Sequence, residues 1–356
     1  MSTARDLDEL VEEWTLAGFK PIGGGTDEDS THLGHIRQDT SFTQLLHQLE
    51  YFSEKFFSRY IPALFPPHPP SYHDRLVSWL NNEGLKAEQQ RLLFEFALKI
   101  AFFSFEDFLQ LYRTAFVGPV TRWIIDELGL SLEQSDFQLR LQEERTQHTW
   151  YCPVTDSMVI SEFYHGNGIA GIDQRPAFRP LREFCEPSSL TSYMACRGLK
   201  RLVLMEDFVG SGTQCIDIVR WATQELSCPV LFVPLVICPD GTKAFTDLAS
   251  AFASRLRFEP VLPLDASAFV APEGGTKDAL LSRIADLATS IHSTIAGTPD
   301  TSYGRFGFSK PGDRTKGAAV VLFSNTPDNS LPLIHHHARP PSNWKALFPR
   351  VSRETP

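Results

Sequence analysis

The residues of this 356-residue chain best placed to do chemistry lie in one stretch, Glu206-Asp207-Phe208-Val209-Gly210-Ser211-Gly212-Thr213-Gln214. An apolar run, Leu202-Val203-Leu204-Met205, precedes it, and Cys215, Val219, Ala222 and Leu226 follow at helical spacing. The pattern predicts a buried strand, two carboxylates at its C-terminal end, a turn with two glycines, and a helix from Thr213 to Leu226. Ligands of open α/β sheets bind beyond the carboxyl ends of the strands. Successive backbone N–H groups at a helix N-terminus attract an anion, and glycines let it come close. The hydroxyls of Ser211 and Thr213 add further donors. Glu206 and Asp207 would repel a phosphate, so their useful partners are hydroxyl groups or a divalent cation. A ribose 5-phosphate meets both demands, with its phosphate on Gly210, Ser211, Gly212, Thr213 and Gln214 and its 2′ and 3′ hydroxyls on the acids. Both acids are expected at a strand end facing a cleft, outside the core.

Two other phosphate sites fail on their residues. There is no G-K-[ST], so a P-loop would lack its lysine. There is no G-x-G-x-x-G, and the acids precede the turn, so a dinucleotide fingerprint fails as well. The plainer alternative is a strand–turn–helix whose acids cap the helix.

The elements that must position these residues read differently in the two halves of the chain. Residues 1–145 read as an α-helical region. Phe42, Leu45, Leu46, Leu49, Phe52 and Phe56 follow Ser41-Phe42-Thr43-Gln44, a capping box. A second apolar stripe runs from Leu85 to Phe103, Ser104 with Asp107 starts another helix, and Pro119 opens one that Gly129 ends. Pro66-Pro67-His68-Pro69-Pro70 is an extended elbow, and residues 17–40 read as a loop. From 146 to 356 strands and helices alternate: strands at 202–205, 230–237, 258–262 and 318–323, helices at 213–226, 245–255 and 277–295. Non-alternating apolar strands separated by helices imply an α/β domain with a mostly parallel sheet and helices on both faces.

Composition fits a globular chain, with 42% hydrophobic and 21% charged residues. The formal net charge of -10 argues against nucleic acid as a direct ligand. The six cysteines form no C-x-x-C pair and several sit in apolar runs, so buried free thiols are expected. No apolar h-region follows Met1, and no apolar run is long enough to span a bilayer. The expectation is therefore a cytoplasmic protein with no membrane partner.

The stretch around Glu206 resembles the phosphoribosyl-pyrophosphate motif of type I phosphoribosyltransferases: apolar strand, two acids, variable residues, then a Ser/Thr- and Gly-rich turn. The resemblance implies that Glu206 and Asp207 bind ribose and that Gly210 to Gln214 hold the 5′-phosphate. Ser211 stands where Thr is usual, and Gln214 replaces a usual Thr. A longer resemblance covers Lys316 to Ile334, leading to Trp344-Lys345-Ala346-Leu347-Phe348-Pro349-Arg350. This ending is similar to that of the phosphoribosyltransferase-like effector domains of bacterial conflict and anti-phage systems. Those proteins also carry a helical N-terminal region. The family implies a defence role, a ligand of the phosphoribosyl pyrophosphate or nucleotide kind, and Mg²⁺ accompanying pyrophosphate. Three readings stay open: a transferase, a non-catalytic sensor whose helical region meets a protein partner, and an effector that cleaves nucleotide N-glycosidic bonds.

The type I fold also implies a second loop, for pyrophosphate. Thr155-Asp156-Ser157 and His165-Gly166-Asn167-Gly168 are candidates, and either reads equally well as a plain turn. The basic, glycine-rich segment from Tyr303 to Lys316 fits a cationic lid through Arg305, Arg314 and Lys316, or a solvated loop. His335-His336-His337 reads as a surface turn and not as a metal tract. Cys152 has no identifiable His-Asp partner that would make it a nucleophile.

Overall fold

The computed structural model describes residues 5–22, 41–62, 69–171, 175–296, 303–308, 316–336 and 343–351. In chain order the helices are α1 (Leu7–Leu16), α2 (Phe42–Lys55), α3 (Tyr72–Leu80), α4 (Ala87–Ala97), α5 (Phe105–Ala115), α6 (Thr121–Leu128), α7 (Phe137–Thr146), α8 (Ile160–Gly166), α9 (Phe178–Phe184), α10 (Pro187–Cys196), α11 (Thr213–Glu225), α12 (Pro239–Ala251), α13 (Ala279–Ser290), α14 (His292–Ala296) and α15 (Pro332–His335). The strands are β1 (Ala101–Phe103), β2 (Thr149–Pro153), β3 (Arg201–Val209), β4 (Val230–Ile237), β5 (Leu256–Phe258), β6 (Leu262–Pro263), β7 (Tyr303–Gly304), β8 (Gly307–Phe308) and β9 (Val320–Leu322). The chain divides into two compact units, one of residues 1–104 with 266–356, the other of residues 105–265.

The contiguous unit carries the mostly parallel sheet expected from the sequence. Its order is β2-β3-β4-β5, with β6 also beside β4, and every pairing is parallel. Alternation along each strand divides the side chains between two faces. Trp150, Cys152, Leu202, Leu204, Val230 and Phe232 share one buried cluster with Phe178, Leu190, Cys215, Val219, Phe245 and Leu248 of α9 to α12. On the other face the Tyr151 ring meets Phe116 and Phe163, and the Tyr164 hydroxyl donates to the Tyr151 carbonyl at 2.8 Å. Helices therefore cover both faces.

Several boundaries differ from the sequence reading. The strand expected at 202–205 continues to Val209, through both acids. The helix expected at 245 begins at Pro239, in the first turn where a missing N–H costs nothing. The strand expected at 258–262 is split into β5 and β6. Successive residues of a strand turn their N–H and C=O to alternate sides, and the Pro234 carbonyl accepts from Val261. The N–H that Pro234 lacks would thus face this side, and the ladder breaks opposite it. Pro119 does not open a helix. It sits inside a π turn, Phe116–Val120, that joins α5 to α6. Gly129 does end α6, in the left-handed region at φ 57°.

In the other unit β1 pairs β9 in parallel, from Ala101 opposite Val320 to Phe103 opposite Leu322. Around this pair lies a core that includes Trp14, Phe42, Trp79, Phe94, Leu333 and Phe348. The capping box at Ser41 forms as expected, with Ser41 and Gln44 bonded in both directions. The Trp79 indole donates to the Leu333 carbonyl at 2.9 Å. The division into units does not coincide with the boundary expected near 145. Helices α5 to α7 belong with the sheet, as the Tyr151 hydroxyl bond to the Arg145 carbonyl illustrates. The strand expected to complete that sheet, β9, pairs with β1 instead. His335 is not on the surface either: it is buried, its Nε2 bonded to the Ser330 carbonyl at 3.1 Å. His337, Gly297 and most of the 17–40 loop lie outside the described residues.

Candidate functional site

The contiguous unit builds its site where two neighbouring strands send the chain to opposite faces. After β2 the chain bends through 154–158 and enters α8, which packs beside α5. After β3 it turns at Gly210-Ser211-Gly212 and enters α11 on the other face. Diverging connections of this kind open a crevice at the carboxyl ends of a parallel sheet. Glu206 and Asp207 lie on β3 at that place. By alternation Glu206 shares the α11 face with Leu204, and Asp207 shares the α5 face with Met205.

The acids are not the exposed carboxylates that the sequence suggested. Glu206 is 3% exposed and Asp207 7%. Burial is tolerable because the bend after β2 supplies donors. The Thr155 N–H donates to Glu206 Oε2 at 2.9 Å and the Thr155 hydroxyl to Glu206 Oε1 at 2.5 Å. The Ser157 hydroxyl lies 3.1 Å from Glu206 Oε1 and 2.8 Å from Asp207 Oδ1. Asp207 Oδ1 also accepts from its neighbour's amide, Phe208, at 2.7 Å. Burial, and then the charge of adjacent Asp207, push the Glu206 carboxyl up to about 8 against these hydrogen bonds. Burial, and then the same Asp207 charge, hold the Tyr112 phenol of α5 above its ordinary range. Tyr112 is a neighbour that sequence reasoning missed, since its helix seemed to belong to a separate region.

The turn places its residues differently. Gly212 takes φ 83°, a conformation open to glycine, and no side chain caps α11. A Cβ on Gly212 would lie 3.0 Å from Phe245 Cε2, so α12 packs directly against the turn. Gly241 of α12 is tighter still: a Cβ there would stand 2.6 Å from the Gly210 carbonyl oxygen. Ser211, Thr213 and Gln214 are exposed, with the Ser211 and Thr213 hydroxyls 2.8 Å apart. The turn is thus held in shape from behind by α12, and Ser211, Thr213 and Gln214 lie on its exposed side.

Of the two loops weighed for pyrophosphate, Thr155-Asp156-Ser157 comes to the acids. His165-Gly166-Asn167-Gly168 is the C-terminal end of α8, where Asn167 caps the helix. Arg305 and Lys316 belong to the other unit. Arg305 is exposed on the hairpin of β7 and β8, and the Lys316 ammonium lies 3.8 Å from a Glu273 carboxylate oxygen. Arg314 lies outside the described residues. Burial holds the Cys152 thiol well above its ordinary range, which removes the thiolate a nucleophile needs.

A parallel sheet with helices on both faces is consistent with the phosphoribosyltransferase-like fold of α/β proteins. The PRTase-CE family, of phosphoribosyltransferase-like C-terminal effector domains, matches residues 76–350, and the chain belongs to it. No curated protein and no solved structure matches the chain. Among the described residues no helix is long and apolar enough to cross a membrane.

Proposed function

We propose that the chain binds phosphoribosyl pyrophosphate or a nucleotide at the carboxyl ends of β2 and β3, and that it does so in bacterial anti-phage defence. One observation carries the reading. An uncapped helix start behind a left-handed glycine adjoins two buried carboxylates that accept hydrogen bonds from hydroxyls. The turn offers N–H groups to a 5′-phosphate, and the acids offer acceptors to ribose hydroxyls. Family membership supports the same class of ligand. The defence role rests on the family resemblance of the motifs.

The residues suit Mg²⁺ as an ion that arrives with its ligand. Among the described residues no group of three or more His, Cys, Asp or Glu is arranged to hold a metal. Mg²⁺ commonly takes one or two carboxylates and fills its shell with phosphate oxygens and water. Glu206 and Asp207 would supply the carboxylates, and the ion would offset charge on a departing pyrophosphate. The acids beside the ribose would favour positive charge developing on the ring carbon.

Calorimetric titration of phosphoribosyl pyrophosphate into the wild-type chain and a Glu206→Ala, Asp207→Ala variant tests the reading. Removing both acceptors is expected to weaken binding at least about tenfold. Equal affinity for both proteins, or no binding by the wild type, would refute it. Incubation with bases and nucleotides then separates the chemistries. Pyrophosphate release requires a transferase, loss of a nucleotide an N-glycosidic effector, and binding without turnover a sensor.

A further inference from the structure

The bend after β2 presents its two hydroxyls in an unusual way. Thr155 Oγ1 and Ser157 Oγ stand 2.8 Å apart. That is the contact distance of two hydrogen-bonded hydroxyls, and the cis-vicinal diol of a furanose ring holds its two oxygens at a similar separation. Both oxygens are directed at the acids: Thr155 Oγ1 at Glu206, and Ser157 Oγ at both Glu206 and Asp207. The bend is anchored in this position by the Thr155 amide on Glu206 Oε2 and by a 3.3 Å bond from the Ser157 amide to Thr155 Oγ1. Val154 and Met158 on either side are buried, whereas Asp156 between the hydroxyls is exposed.

We propose that Thr155 and Ser157 occupy the positions that the 2′ and 3′ hydroxyls of a ribosyl ligand take on Glu206 and Asp207, so that this bend is an internal competitor that only a vicinal diol displaces well. The proposal rests on the ribosyl reading of the site. Its chemistry is an exchange of donors. A ribose gives the acids two hydroxyls for the two they lose. A 2-deoxyribose gives one and leaves a buried carboxylate oxygen short of a partner, a loss that protein sites penalise strongly. The bend therefore sets both the affinity and the preference for ribo- over deoxyribo-ligands. Inorganic phosphate, which needs only the turn, is indifferent to it.

Ribose 5-phosphate, 2-deoxyribose 5-phosphate and inorganic phosphate are titrated into the wild-type chain and into Thr155→Val with Ser157→Ala. The expected result is ribose 5-phosphate binding about tenfold or more tighter to the variant, with phosphate affinity unchanged, and ribose 5-phosphate preferred over its deoxy analogue by the wild type. Ribose 5-phosphate binding equally to both proteins, or more weakly to the variant, overturns the proposal. So does wild-type binding of the two sugar phosphates with equal strength. Failure of all three ligands to bind either protein would sink the ribosyl reading itself. Binding of phosphate with no gain from the sugar in either protein would sink the ribosyl reading as well, whereas a gain from the sugar that is equal in both proteins would sink the competition alone. Hydrogen exchange at the Thr155 amide gives an answer without any variant. In the wild-type chain ribose 5-phosphate should speed its exchange and phosphate should not, and slower exchange with ribose 5-phosphate would refute displacement.

Discussion

Replacing Glu206 by Gln should stabilise the protein at alkaline pH and leave it nearly unchanged near pH 4.5. The carboxyl is held up to about 8 in the fold, chiefly by burial and then by Asp207, against an ordinary 4.5. Between those values the folded chain keeps a proton that the unfolded chain releases. Stability must therefore fall as pH rises through this window and level off above it. At about 1.4 kcal/mol for each pH unit, the span from 4.5 to about 8 sets an upper bound of about 5 kcal/mol. Relaxation and water entry reduce this to a few kcal/mol. Gln carries no such proton. Its amide oxygen can accept from the Thr155 N–H and its NH₂ can donate to the hydroxyls of Thr155 and Ser157, both of which can accept. Denaturant unfolding of both proteins at half-unit steps from pH 4.5 to 9 reads the effect. The difference should open from near zero to a few kcal/mol in favour of the variant. Parallel curves, or a variant less stable by the same amount at every pH, would show that Glu206 is ionised throughout and would refute the reasoning.

Gly241→Ala should cost about 1–3 kcal/mol, because its Cβ would stand 2.6 Å from the Gly210 carbonyl oxygen and 2.9 Å from Val209 Cγ1. Calorimetric melting should show the loss, and phosphate titration should show weaker binding at the displaced turn, whereas an unchanged melting temperature would mean that the turn is not braced by α12. His335 is held down to about 3, by burial and then by Arg350, so the folded state resists a proton that the unfolded state takes up below about 6.5. Its contribution is complete above that pH and is lost as pH falls toward 3. His335→Gln should flatten the acid limb of the stability curve, and an unaltered limb would refute the assignment.

Much of the site's frame was legible because it depends on local pattern. The run Leu202 to Met205 does not alternate, which marks a strand covered on both faces, and Gly212 falls where a left-handed helix start requires it. The extension of β3 through Glu206 and Asp207 was not legible. Two adjacent acids read as a strand's end, and the donors of Thr155 and Ser157, about 50 residues earlier, help make their burial tolerable. The place of β9 was hidden for a related reason. Val320, Val321 and Leu322 suit any parallel sheet, and nothing in their side chains distinguishes β4 or β5 from β1 as a partner. Tyr112 was missed because a helical stripe shows that a face is buried and does not show against what.

The split of one unit between the two ends of the chain bears on its synthesis. The Tyr60 hydroxyl bonds the Pro349 carbonyl at 2.8 Å across 289 residues, and Arg75 Nε bonds the Leu347 carbonyl across 272. While a ribosome adds residues at about 5–20 per second, the apolar faces of α1 to α4 must wait roughly ten seconds to a minute for β9 and Phe348 to emerge. The segment 105–265 needs no such delay, since its strands and helices are all its own. The nascent chain thus completes its sheet first, while α1 to α4, although Trp14, Phe42 and Phe94 already meet one another, lack the part of their core that Val321, Leu333 and Phe348 supply. A chain released before residue 320 would keep the candidate site's framework and lose the core that encloses its own beginning.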